Sequence, residues 1–214
     1  MTRTRIKICG LTREQDVDAA VAAGADAVGF VFYPKSQRCI TPQRARELAN
    51  RLPPFVSAVG LFVNAEAAVV RATAETARLQ LLQLHGEETP EYCAQFTLPY
   101  VKAARVAPGL DLVEYAARFS DARGLLLDAF VEGYGGGGEV FDWSLIPSEI
   151  AAQAVLSGGL HAGNVGAGIL SLRPLGVDVS SGVEQSKGIK DVALIRRFVA
   201  AVRAADAQLQ GPEP

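Results

Sequence analysis

Short apolar runs alternate with Ala-, Glu- and Arg-rich stretches, and the alternation repeats eight times along the chain. The apolar runs predict strands at Arg5–Cys9, Ala27–Phe32, Val56–Val63, Leu79–His85, Tyr100–Arg105, Leu125–Asp128, Ala154–Ser157 and Val177–Ser180. Between them, helical patterns fall at 13–23, 41–52, 65–77, 89–96, 109–118, 143–150, 163–173 and 191–206. Eight strands, each followed by a helix, predict an α/β single-domain (β/α)₈ barrel over residues 1–207. An open doubly wound sheet is the competing architecture, but no dinucleotide fingerprint follows the first strand. Residues 208–214 lack apolar periodicity and are expected to form a frayed tail.

Alternation along a strand decides which side chains face inward. Lys7 and Cys9 share one face of the first strand and Ile6 and Ile8 the other. The isoleucines suit packing against helices, which turns Lys7 and Cys9 into the barrel. A buried ammonium needs an opposite charge, so Lys7 is expected to pair with Asp178 or Asp128. Gln83 and His85 share parity at the fourth strand, as do Asp178 and Ser180 at the eighth. Cys9, His85, Asp128 and Ser180 therefore fall at C-terminal strand ends, the rim where such barrels carry their chemistry. Gly158-Gly159 ends the seventh strand and Ser180-Ser181-Gly182 the eighth. Glycine-rich turns let backbone approach an anion closely, so these two loops are candidates for holding phosphate.

Composition narrows the alternatives. Residues are 49% hydrophobic and 21% charged, and the formal net charge is -2, so nothing argues for a nucleic-acid partner. No apolar run reaches the roughly 18 residues of a membrane span, and the N-terminus has no signal-peptide pattern. Three scattered cysteines, Cys9, Cys39 and Cys93, suit a reducing cytoplasm and no disulfide framework. Cys39 and Cys93 read as structural. No residue cluster has metal-ligand spacing, so no metal and no cofactor is expected.

Seven segments together resemble one family. They are KICGLT (7–12), GFVFYPKSQR (29–38), QLHG (83–86), LLLDA (125–129), FDW (141–143), LSGGLHAGNV (156–165) and DVSSGVEQSKGIKD (178–191). In this order they resemble the phosphoribosylanthranilate isomerases of tryptophan biosynthesis over nearly the whole chain. Two positions depart from the family pattern: Gly137 stands where a threonine is usual, and Lys187 where a proline is expected.

The resemblance implies an Amadori rearrangement of N-(5-phosphoribosyl)anthranilate to its 1-deoxyribulose 5-phosphate ketose. Asp128 would be the general acid at the ring oxygen and Cys9 the general base at C2′. A thiol serves as a base if its pKa, ordinarily about 8.5, is lowered by positive neighbours. The carboxyl must conversely hold a proton. Arg38 is expected to grip the anthranilate carboxylate through a planar fork. His85 and Asp178 are expected to line the substrate site, and Gly158, Gly159, Ser180, Ser181 and Gly182 to hold the phosphate.

Gly135–Gly138 is expected to be a loop closing over substrate. The implied partner is a small phosphosugar, with no nucleic acid and no membrane, and the chain is compatible with a monomer or a homodimer. Two other classes compete. An aminoaldose isomerase of histidine synthesis would carry an aspartate base where Cys9 stands. A non-catalytic phosphate-binding barrel would lack Cys9 or Asp128.

Overall fold

The computed structural model describes residues 3–129 and 141–210. Eight parallel strands close into a barrel in chain order: β1 (Arg5–Cys9), β2 (Ala27–Val31), β3 (Ser57–Phe62), β4 (Leu81–Leu84), β5 (Tyr100–Val106), β6 (Leu125–Ala129), β7 (Val155–Leu156) and β8 (Gly176–Val179). Helices α1 (Glu14–Ala23), α2 (Pro42–Ala49), α3 (Ala67–Ala77), α4 (Pro90–Cys93), α5 (Leu112–Arg118), α6 (Ser148–Ala151), α7 (Val165–Leu172) and α8 (Val192–Gln210) follow them in turn. A short antiparallel hairpin, β9 (Glu184–Ser186) and β10 (Ile189–Lys190), is inserted between β8 and α8.

The core is a sleeve between strands and helices. Ile6, Ile8, Val28, Phe30, Leu82, Leu84, Leu127 and Val177 all point outward into one buried apolar cluster. Fully burying each such side chain contributes about 1.5–3 kcal/mol. The other parity turns inward, as expected for Lys7 and Cys9. There Gly29 is paired with Cys9 across β1 and β2. A Cβ at 29 would lie 2.7 Å from the Cys9 sulfur, so glycine makes room for that side chain inside the barrel.

Helix starts follow local chemistry. Thr41 and Thr89 each accept a backbone N–H three residues on, ahead of a proline in the first turn, and Asp111 caps α5 in the same way. Several boundaries shift from the sequence pattern, and three helical segments show why. The expected helix at 89–96 is α4 alone, because the following turn leads to Pro99, which disfavours helical backbone at Leu98. The 143–150 segment divides into a 3₁₀ turn at Trp143–Leu145 and α6, with Ile146 extended ahead of Pro147. The last helix, expected at 191–206, runs on to Gln210, so residues 208–210 are helical and not a frayed tail. Its last turns are anchored: Asp206 accepts from the Thr4 amide at 3.1 Å, and Leu209 packs on the core. Residues 211–214 and the Gly135–Gly138 run lie outside the described residues.

Candidate active site

Strand ends at the C-terminal rim surround one open cavity of about 710 Å³. Cys9, Arg38, His85, Asp128, Gly158, Gly159, Asp178, Ser180 and Ser181 all line it. Nine of the ten residues named from sequence thus meet in one place. The tenth, Gly182, does not line the cavity. It sits in the 3₁₀ turn Ser181–Val183, where any side chain would collide with the Leu160 carbonyl. Its part is to let the loops after β7 and β8 pack together.

Inside the barrel, parallel pairing puts Lys7 directly opposite Asp178. The Lys7 ammonium donates to Asp178 Oδ1 at 2.9 Å, which settles its partner as Asp178 and not Asp128. Burial works against the Lys7 charge, but Asp178 and Cys9 outweigh it and hold its pKa above the ordinary value. For Cys9 the balance is the reverse of the expectation. Burial of the sulfur raises its pKa, and Lys7, which favours the thiolate, only partly offsets this. Asp178 pushes the thiol further in the same upward direction. Charge neighbours are legible in a sequence, whereas the depth of burial that dominates here is not.

Asp128 is held from two sides. Its Oδ1 accepts from the Ala129 amide at 3.0 Å, and its Oδ2 lies 3.0 Å from His85 Nε2. Behind the imidazole, Gln83 Nε2 lies 2.9 Å from His85 Nδ1, and Gln83 Oε1 is buried with no partner. With this amide orientation Nδ1 accepts, the ring proton is on Nε2, and Asp128 receives it as a carboxylate. The amide turned over would accept from Nδ1–H, and Nε2 would accept from a protonated Asp128. The triplet therefore supports two proton distributions at Asp128. Gly158 makes the close wall beside it: φ is +77°, and a Cβ would lie 2.6 Å from the Ala129 amide nitrogen.

Arg38 is buried, and its fork is already engaged. Nε donates to Glu184 Oε1 at 2.8 Å and Nη2 to Oε2 at 2.7 Å. This hydrogen bonding outweighs the cost of burial and raises the arginine's pKa. Only the remaining edge of the guanidinium is open to a ligand, a restriction the sequence did not reveal. Glu184 is itself pushed up by burial, but Arg38 and Lys190 together pull its pKa below the ordinary value. Glu184 and Lys190 were missed as individual residues, although both lie in the DVSSGVEQSKGIKD segment. The usable signal was two charges at the ends of a short hairpin turning at Gly188, directly after an inward-facing strand.

Among the described residues, no group of three or more His, Cys, Asp or Glu is arranged to hold a metal ion. The arrangement offers a thiol, a carboxyl backed by an imidazole, a guanidinium edge and two backbone-walled loops. That set can move protons at two points of one ligand anchored by anionic ends.

Comparison with known proteins points the same way. Residues 6–201 match the family model described as N-(5'phosphoribosyl)anthranilate (PRA) isomerase. The N-(5'-phosphoribosyl)anthranilate isomerase of Dechloromonas aromatica is 66% identical over 204 residues, covering 95% of this chain and 98% of that one. The solved phosphoribosyl anthranilate isomerase of Thermotoga maritima superposes with a TM-score of 0.87 at 44% identity, covering 94% of this chain and 99% of that one. A phosphoribosyl anthranilate isomerase solved with reduced 1-(o-carboxyphenylamino)-1-deoxyribulose 5-phosphate gives a TM-score of 0.83 at 42% identity over the same shares. The Thermotoga maritima protein is dimeric, and monomers generated from it have also been solved.

Proposed function

The chain belongs to the N-(5'-phosphoribosyl)anthranilate isomerase family, and from that premise we propose how its residues divide the reaction. It is an isomerase of tryptophan biosynthesis, converting N-(5-phosphoribosyl)anthranilate to 1-(2-carboxyphenylamino)-1-deoxyribulose 5-phosphate. One observation carries the assignment of roles: Cys9 and Asp128 line the same cavity as the loops bearing Gly158, Gly159, Ser180 and Ser181.

Asp128 gives its proton to the furanose ring oxygen, and the ring C1′–O bond breaks to leave a protonated Schiff base. Cys9 then takes the C2′ proton, and the electron pair flows to the imine carbon and nitrogen to give an enolamine. Tautomerisation of the enolamine gives the ketose. Positioned proton transfers of this kind contribute about 10²–10⁴-fold each. His85 supports the acid step, since the tautomer with Nε2 as acceptor keeps the proton on Asp128.

Cys9 must first lose its thiol proton to solvent to act as the base, and the Lys7 ammonium, held by Asp178, favours the resulting thiolate. Asp178 holds Lys7 and also lines the cavity that receives the sugar. The loops after β7 and β8 receive the phosphate on backbone amides and the hydroxyls of Ser180 and Ser181. The free edge of Arg38 receives the anthranilate carboxylate. No helix among the described residues is long and apolar enough to cross a membrane, and the three free cysteines suit the reducing cytoplasm.

The deciding experiment generates the substrate in situ from anthranilate and an activated phosphoribose, then follows loss of its fluorescence on adding the purified protein. Decay well above the buffer control is expected. A rate equal to the control would refute the activity.

A further inference from the structure

The hairpin after β8 puts one carboxylate behind the cavity wall, between its two anion-binding ends. Glu184 holds Arg38 through both oxygens. Its Oε1 also accepts from the Lys190 ammonium at 2.8 Å. Lys190 in turn donates to the Ser180 carbonyl at 2.9 Å and lies 3.3 Å from its hydroxyl. Arg38 and Ser180 line the cavity, whereas Glu184 and Lys190 stand behind them. All three charged side chains are less than one-tenth exposed.

We propose that Glu184 is a positioning residue that couples the two ends of the site, aiming Arg38 at the substrate carboxylate and, through Lys190, Ser180 at the phosphate. This rests on the assignment of those two ends made above. The physical argument is one of like charges. Arg38 and Lys190 are buried close enough for the guanidinium to disfavour the ammonium's charge. A carboxylate bridging them fixes both directions at once. Without it, two buried cations repel and at least one side chain must turn. A mere counter-ion would behave oppositely, since its removal leaves a more positive site that attracts anions more strongly.

That opposition makes the test. Affinities of inorganic phosphate, anthranilate and the reduced product analogue are measured by NMR titration in wild type, Glu184→Gln, Glu184→Asp and Lys190→Gln. Aspartate keeps the charge but is one methylene too short to serve both partners. Both Glu184 variants are expected to bind phosphate and anthranilate about tenfold more weakly, the scale of a lost charge-assisted hydrogen bond. Lys190→Gln, which removes no group from the carboxylate end, is expected to weaken anthranilate as well as phosphate. Tighter phosphate binding by Glu184→Gln, or a Lys190→Gln effect confined to phosphate, overturns the coupling. Should thermal melts show that the Glu184 variants do not fold, the Lys190→Gln result decides alone. A wild type that binds none of the three ligands overturns the site assignment itself, and the coupling with it.

Discussion

Of the buried lysines paired with a carboxylate, Lys7 stands beside the proposed base and Lys102 belongs to the frame. Lys102 lies on the outward parity of β5, wholly buried, and every direction around its ammonium is taken. It donates to Glu88 at 3.1 Å, to the Gly86 carbonyl at 2.6 Å and to the Leu84 carbonyl at 3.3 Å. Glu88 is equally complete, with the Asn64 and Gly86 amides each at 2.8 Å. Lys7 lies on the inward parity of β1 with one carboxylate at 2.9 Å and a thiol beside it. A saturated ammonium knits loops together. An incompletely saturated one, beside a thiol that lines the cavity, is free to stabilise charge that forms on that sulfur.

The largest effects should come from the groups that Lys7 and His85 serve. Cys9→Ala and Asp128→Ala are each expected to lower turnover by about 10²–10⁴-fold while melting near the wild-type temperature. Steady-state assays with thermal melts check this. Turnover near wild type in either variant removes that residue from the mechanism.

The two lysines should then separate in kind. Lys102→Met leaves Glu88 buried without its cation, a loss of about 3–5 kcal/mol in stability. Turnover per folded molecule should be unchanged. Denaturant unfolding of Lys102→Met and Lys7→Met, read beside their kcat values, tests the contrast. A Lys7 variant that only loses stability, with kinetics intact, would erase the distinction.

A pH profile sharpens it further. The proposed base is the Cys9 thiolate, and burial holds the Cys9 pKa above its ordinary value. The thiolate fraction therefore grows with pH, and the rate at which a small alkylating agent labels Cys9, which needs the thiolate alone, should climb about tenfold per pH unit from neutrality toward the thiol pKa. Lys7→Met removes the group that favours the thiolate, so its limb should lie at higher pH than that of wild type. A profile flat from pH 7 to 9 in the wild type contradicts a raised thiol.

Residue patterning made the barrel legible because parallel strands and covering helices bury one strand face uniformly. Ile6 and Ile8 announce the sleeve, and by elimination Lys7 and Cys9 announce the interior. The rim residues were legible for the same reason, since strand ends place them. What stayed hidden depends on distance in sequence or on depth. Nothing near Arg38 in the sequence indicates that Glu184, 146 residues on, occupies its fork. Lys102 reads as one charge in an apolar strand until Glu88 is seen beneath it. The thiol's upward shift is a burial effect, and the end of α8 is set by Asp206 reaching back to Thr4.

The smallest effect expected concerns Gln83, a neutral member of the acid's chain of contacts. With its amide oxygen turned to accept from His85 Nδ1–H, it leaves Nε2 as the acceptor and the proton on Asp128, the distribution that the acid step uses. Gln83→Leu preserves the apolar bulk of the side chain and removes that control. Nδ1 is then left without its partner in a buried place, and the ring proton is free to sit on either nitrogen. Substrate anchoring at the two anionic ends is untouched, so KM should stay within about twofold while kcat falls about tenfold, equivalent to one lost hydrogen bond. A variant that raised KM at constant kcat would show that Gln83 shapes the cavity and has no hold on the proton. If kcat falls as expected, the inward face of β4 resembles Lys7 more than Lys102: a buried polar group left partly unsatisfied because the reaction uses the remainder.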